Sequence, residues 1–400
     1  MQEKQLIPAI DFENTELAFQ AKSNARLRRT YWLFRLIDNP FITKWGSKLL
    51  QLALRWRLPV QGLIKHTVFE LFVSGEKLKE TGETASTLAE YGVYSVLDYS
   101  VEGERSEQGF ESTKQEMLAT LRFASQHAPI VFSACKLTGL ASFELMEKIQ
   151  SGQELTKGEK EAQGKVWLRM DELAQAAHLY GTPLFIDAEE TWIQDFIDQV
   201  AEALMEKYNQ EKPVIWTTVQ FYRHDRLSYL QGLIDRSRER GYVLGVKLVR
   251  GAYLEKEHAR ALELGYPTPI QPSKQATDRD YDAGLALCMQ HLDHVALCAG
   301  THNEQSSLYL TQLMAEQALP PNHPHVWFCQ LLGMSDHISF NLAHQGYRCA
   351  KYLPYGPVRA VIPYLIRRAN ENTSIAGQSG REVTLLRKEL KRRKDKEKSS

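Results

Sequence analysis

No stretch of this 400-residue chain is apolar enough to be read as a membrane-spanning helix, which needs about 18 or more such residues in a row. The five cysteines, at 135, 288, 298, 329 and 349, form no CxxC pair and no metal-ligand spacing. That argues against a structural zinc module and suits buried thiols in a reducing compartment. Neither sign of charge dominates, with 49 Lys and Arg against 49 Asp and Glu, so global charge does not point to nucleic acid. The opening residues, MQEKQLIPAIDFENTE, are acidic and lack an apolar core. They resemble neither a secretory signal nor a transit peptide, and the expected location is the cytoplasm. Short-period repeats are also lacking.

What is present has the composition of an ordinary globular protein, 43% hydrophobic and 24% charged. Brief apolar runs alternate with helical patterns: GVYSVLDY (92–99), PIVFSACKL (129–137), PLFIDAEE (183–190), VIWTTVQFY (214–222), YVLGVKLVRGAY (242–253), HVALCAGTH (294–302), HVWFCQLL (325–332) and RCAKYLPYG (348–356). Strands buried on both faces read as continuous apolar runs. Eight such βα units predict an α/β fold, a (βα)8 TIM-like barrel over 92–375, with a doubly wound open sheet as the alternative. Residues 1–91 read as a helical N-terminal region and 376–400 as a basic C-terminal tail.

Polar residues gather where the runs end: Glu102, Lys136, Asp187, Gln220, Lys247 with Arg250 and Tyr253, His302 with Asn303, and Tyr352. In a barrel that end carries the chemistry. Each has a plainer explanation. Asp187 suits a helix cap, His302 a satisfied structural histidine, and Lys136 a side chain snorkelling to the rim. All being structural at once is the weaker account. The stretch Tyr352–Asn372 adds a strand, a Gly-Pro turn and a helix. There Tyr364, Arg367, Arg368 and Glu371 share one face. Adjacent arginines are usually a solvated face. They also make a fork of donors for a carboxylate or phosphate. Tyr352 and Tyr364 would wall an apolar slot beside it, for a small ligand anionic at one end.

Two segments suggest surface contacts. Arg26–Leu58 interleaves basic residues with Tyr31, Trp32, Phe34, Phe41, Trp45 and Trp56. It reads as a helical arm packed on the barrel, with a membrane surface as the alternative. Arg381–Lys398 carries nine Lys and Arg against four Asp and Glu. It reads as a solvated, fraying helix end that could add attraction to anionic lipid.

Three chemistries compete for the strand ends. Lys136 or Lys247 could form a Schiff base, although no Gly-rich phosphate cradle follows the seventh or eighth run. A metal hydrolase would need more ligands than Asp187 and His302, and no metal is expected. A redox cofactor held by this mixture of groups suits the residues best.

In order, the motifs SACKLTGL, IDAEE, KLVRGAY, THNEQS, FCQLLGM, YLPYG and YLIRRANEN closely resemble the proline dehydrogenase family, over essentially the whole barrel and in its monofunctional branch. The resemblance implies FAD-dependent oxidation of L-proline to Δ1-pyrroline-5-carboxylate, by hydride transfer to flavin N5. This is the first step of proline catabolism, and the electrons pass to a membrane quinone. It implies that Arg367, Arg368 and Lys136 clamp the proline carboxylate, and that Tyr352, Tyr364, Leu331 and Tyr253 surround its ring. Asp187 and Lys247 fall on catalytic positions. Gln220, Lys247, Val249, Arg250, Gly251, Ala252, Thr301, His302, Asn303 and Glu371 fall on cofactor-binding positions, and Glu102 on a gate. Many bacterial members read RLVKGAY where this chain has KLVRGAY. A cation is kept at both positions, although Lys and Arg are not equivalent donors. The enzyme would dock peripherally on the inner face of a membrane. A hydroxyproline dehydrogenase is the alternative within the family, and a non-catalytic amino-acid-binding barrel the alternative outside it. A bulky Tyr352 favours proline.

Overall fold

Eight strands pair in parallel and in sequence order, and β8 returns to β1 to close a barrel. They are β1 Tyr94–Tyr99, β2 Ile130–Cys135, β3 Leu184–Ile186, β4 Ile215–Gln220, β5 Leu244–Val249, β6 Val295–Gly300, β7 Val326–Leu331 and β8 Cys349–Tyr355. Each of the eight apolar runs contains one. The structure is a computed structural model and describes residues 10–37, 61–100, 104–374 and 378–399. The open-sheet alternative is thereby excluded.

Side chains alternate along each strand, so one set enters the barrel and the other meets the helices. The outward set joins the helices in the largest apolar cluster, with Leu184, Ile215, Val246 and Leu297 fully buried. The inward set builds an aromatic floor. Phe132 stacks on Phe185 at 4.4 Å between ring centroids, and lies edge-on to Trp216 and Trp327 at 5.2 Å. Trp216 pairs in register with Gly245 on β5. A Cβ at Gly245 would lie 2.7 Å from the indole, so only glycine leaves room for that ring.

The helical ring has an unusual member. Leu78–Ala89, from the N-terminal region, packs against β1 and β8, burying Ala85 and Leu88 with Val93, Leu97 and Leu353. The helix after β8, Val358–Ser374, instead joins the N-terminal helices. Its Val361, Ile362, Tyr364 and Leu365 pack with Phe34, Ile64, Phe69 and Phe72. Leu331 at the end of β7 packs against this cluster and against the barrel interior, which places the arginine helix above the strand ends.

The reading of Arg381–Lys398 as a solvated, fraying end is corrected. Gln378–Ser399 is a helix lying on Asn24–Ile37. Val383, Leu385 and Leu386 are buried, and Glu389 is wholly buried against Arg392 and Arg393. Composition hid the apolar stripe at Val383, Leu386 and Leu390, which has helical spacing. In Arg26–Leu58, the part up to Ile37 is the packed arm that was expected, burying Leu27, Thr30, Phe34 and Ile37. Phe41, Trp45 and Trp56 lie outside the described residues. All five cysteines are free and buried.

Candidate active site

One alternation step above the aromatic floor, the same inward face turns polar. Asp187 follows Phe185 by two residues, Lys247 follows Gly245, and Tyr352 follows Ala350. The Lys247 ammonium lies 2.5 Å from Asp187 Oδ1. The Tyr352 hydroxyl donates to Asp187, at 2.8 Å from each carboxylate oxygen. Lys247 also reaches the Tyr352 oxygen at 3.3 Å, and it sits between the Phe185 and Tyr352 rings at 4.8 and 4.7 Å. Lys136, just past β2, lies 3.5 Å from Asp187 Oδ2 and 3.6 Å from Asp98 Oδ1.

The charge state follows from this packing. Burial raises the Asp187 carboxyl, but the Lys247 and Lys136 cations and the bonds from Lys247 and Tyr352 outweigh it, and the net shift is downward. Burial and then the Asp187 charge push the Tyr352 phenol well above its ordinary range. The tier is therefore an ionised carboxylate held by two ammonium groups and a neutral phenol.

The ends of β4 to β6 form a second group. Gln220 is buried and donates to the Glu189 carbonyl at 2.7 Å. Arg250 is locked in place, with Nε on Asp278 at 2.7 Å, Nη1 on Thr301 at 2.7 Å and Nη2 on Ser306 at 2.9 Å. Its guanidinium lies over the Tyr281 ring at 4.2 Å. Val249 and Ala252 are half-buried and Gly251 is exposed. Gly251 has φ of +125°, and a Cβ there would stand 2.4 Å from the Tyr222 ring. Asn303 caps the next helix by accepting from Ser306 N at 3.1 Å. The His302 imidazole pairs through Nδ1 with Ser335 Oγ at 2.9 Å. Burial, then the Lys351 and Arg368 charges, hold this histidine well below its usual range, so it is neutral at pH 7.

The arginine helix supplies the third group. Arg368 is buried and lies 5.4 Å over the Tyr364 ring, while Arg367 lies 5.7 Å over the ring of Tyr253. Tyr253 and Tyr364 are themselves buried. Glu371 falls on the same helix, and its side chain is outside the described residues, as is all of Glu102.

The family described as proline dehydrogenase matches residues 81–381. The chain belongs to the proline dehydrogenase family. Mitochondrial proline dehydrogenase 1 of Dictyostelium discoideum is 31% identical, over 96% of this chain and 75% of that protein. Hydroxyproline dehydrogenase of Xenopus laevis is 33% identical, over 94% of this chain and 88% of its own. Among solved structures, proline utilization A from Bdellovibrio bacteriovorus, inactivated by N-propargylglycine, superimposes with a TM-score of 0.70 at 20% identity. That match covers 79% of this chain but only 34% of the other, and it bears on the fold alone. Like that neighbour, this family member carries the barrel.

Asp98 belongs to the tier and was missed by the sequence reading. It is 2% exposed, and it accepts from Ser100 Oγ at 2.5 Å. Period-two counting from Val96 would have found it, because Val96 points inward. Glu189, in the IDAEE motif, was also passed over. It accepts from Thr138 N at 3.0 Å and Thr138 Oγ1 at 2.5 Å, tying the ends of β2 and β3 together beside Lys136 and Asp187. No His, Cys, Asp and Glu cluster among the described residues has the grouping of a metal site.

Proposed function

We propose that this protein oxidises L-proline to Δ1-pyrroline-5-carboxylate using FAD. The observation that carries the reading is the ionised tier of Lys136, Asp187, Lys247 and Tyr352 facing a helix that offers Arg367 and Arg368. Proline has a carboxylate for the cations and an apolar ring for the tyrosines. Arg367, Arg368 and Lys136 bind the carboxylate, and Tyr352, Tyr364, Leu331 and Tyr253 pack on the ring. A cluster of cations disfavours a further positive charge, so the bound amine is kept neutral with its lone pair available. Asp187 already accepts from Lys247 and Tyr352. That favours an anchoring role for it over that of proton acceptor.

The residues at the ends of β4 to β6 fit a flavin. A half-exposed backbone ledge at Val249–Ala252, where Gly251 has no room for a Cβ, includes a rigidly held Arg250, whose partner Thr301 precedes a neutral His302. Gln220, Lys247, Val249, Arg250, Gly251, Ala252, Thr301, His302, Asn303 and Glu371 would hold the cofactor. When bound, FAD would accept the hydrogen and two electrons from proline C5. Lys247 and Arg250 would add positive potential where the cofactor takes up negative charge. Glu102 would gate the pocket.

Electrons would then pass to a quinone from a peripheral position on a membrane. No helix among the described residues is long and apolar enough to cross one. The support is a set of exposed apolar and basic side chains: Trp32 and Leu36 are 59% and 49% exposed, and Lys391, Lys394 and Lys398 are exposed on the neighbouring helix Gln378–Ser399. The purified protein should show a flavin absorbance that L-proline bleaches under anaerobic conditions. Folded protein that carries no flavin, or whose flavin ignores proline, would refute the reading.

A further inference from the structure

The helix Gln378–Ser399 does more than cover the N-terminal arm. Glu382, in its first turns, is buried at 4% exposure and accepts the backbone N–H of Ser335 at 2.5 Å. Ser335 has φ of +50° and ψ of +43°, the left-handed region, although it is not glycine. Such a conformation costs roughly 1–3 kcal/mol and persists only where its surroundings over-determine it. Here three contacts do so. Glu382 holds the N–H. The Ser335 carbonyl accepts from Ile338 N at 3.0 Å and Ser339 N at 3.1 Å, starting the helix Asp336–His344. The hydroxyl meets His302 Nδ1 at 2.9 Å.

With Nδ1 committed to Ser335, the remaining chemistry of the neutral ring rests on Nε2. A neutral imidazole is a donor at one nitrogen and an acceptor at the other, so a fixed partner at Nδ1 biases what Nε2 can do. We propose that Glu382 is a positioning residue for His302: by holding Ser335 in its left-handed turn, it keeps the hydroxyl on Nδ1, and with it the ring orientation and tautomer balance that Nε2 presents to the cofactor. The cofactor part of this rests on the flavoprotein reading above. The family match ends at residue 381, so Glu382 lies just outside it. The terminal helix therefore reaches the site through two hydrogen bonds and not through packing alone.

Burial, reinforced by the nearby Asp336 charge, pushes the Glu382 carboxyl upward. A glutamine keeps an acceptor carbonyl at the same reach and is the conservative replacement. The test uses the full-length holoenzyme with 13C-labelled histidine. The His302 signal is assigned by its loss in His302→Gln, and its Cδ2 shift reports the tautomer. FAD dissociation is measured in parallel. Glu382→Ala should move the His302 signal and weaken FAD binding up to about tenfold, the net worth of one hydrogen bond. Glu382→Gln should restore both. Ser335→Gly removes the hydroxyl yet suits the positive φ. It should reproduce the Glu382→Ala result, and combining the two should add nothing further. The proposal is overturned if Glu382→Ala, with wild-type helical content, keeps the His302 signal and FAD affinity. It is equally overturned if Glu382→Gln behaves like alanine, or if the two substitutions add. Should wild-type protein hold no FAD while the His302 signal still responds, the flavoprotein reading and the cofactor role fail and the positioning of His302 stands.

Discussion

The floor of the barrel and its mouth are built from the same strands, and on β3 they lie two residues apart. Phe132, Phe185, Trp216 and Trp327 fill the floor with rings 4.4 to 5.5 Å apart. Above them Asp98, Lys136, Asp187, Lys247 and Tyr352 place charges and a phenol in nearly as much burial. The floor gains stability from apolar area and ring contacts, and any shape-matched set would serve. The mouth gains little net stability from its ion pairs, since desolvation offsets most of their attraction. Charges are kept there at a cost, which is the expected signature of a site selected for activity. Lys247 joins the two layers, because its ammonium lies on the Phe185 ring while it pairs with Asp187.

Removing the hub of the mouth should have the largest effect. Asp187→Ala leaves Lys247 and Lys136 buried without their shared partner. It should cost about 3–5 kcal/mol of stability and abolish most proline turnover. The pH dependence sharpens this. The folded carboxyl titrates below its unfolded value of about 3.9, so its stabilisation is complete above that pH and is lost as pH falls through the folded pKa. Chemical denaturation should show a constant gap between wild type and variant from neutral pH to about pH 4, narrowing only below it. A gap that narrows near pH 6 would contradict an ionised Asp187.

The floor should fail differently. Phe132→Ala opens a cavity under three other rings and should cost about 3–5 kcal/mol, with KM for proline unchanged below the lowered Tm. A large rise in KM would mean that the two layers are not separable. At the rim, Arg368→Met removes a buried cation while keeping much of the stem. Proline binding should weaken about 10- to 150-fold, from roughly 1.5–3 kcal/mol for a charge-assisted contact, with flavin content retained. Unchanged proline affinity would take Arg368 out of the substrate site.

What could be read beforehand follows the same division. All eight strands were legible because burial on both faces favours a mostly apolar run, as in Val295–Gly300, which reads VALCAG and is buried from Val295 to Ala299. The expectation of strand ends is corrected for Lys247 and Tyr352, which lie inside β5 and β8, whereas Lys136 and Asp187, just past β2 and β3, were legible as polar residues at a fixed end. Asp98 was not, because it sits inside its run and only its parity with Val96 marks it. Nor was Lys351, wholly buried on β8 and paired with Asp336 at 2.8 Å, since a pair between a helix start and the following strand leaves no periodic signature. The terminal helix was misjudged from its net charge, which says nothing of the stripe that buries Leu385 and Leu386.

That misjudgement changes how membrane contact should be tested, where the smallest effect is expected. Deleting residues 382–400 would strip Val383, Leu385 and Leu386 from the core and take Glu382 from Ser335. Lost vesicle binding would then report damage to the fold. Lys391, Lys394 and Lys398 are exposed on the same helix and lie away from the barrel mouth in the chain. Replacing each with Gln should reduce binding to phosphatidylserine vesicles by about fivefold per residue, from roughly 1 kcal/mol per basic residue near an anionic surface. Dye-linked proline oxidation should be unchanged. Raising salt should weaken wild-type binding more than that of the triple variant, because surface charges are screened over about 8 Å at physiological ionic strength. If sedimentation finds wild-type and triple-variant binding equal at low salt, these lysines are a solvated surface and the proposed membrane contact through them fails.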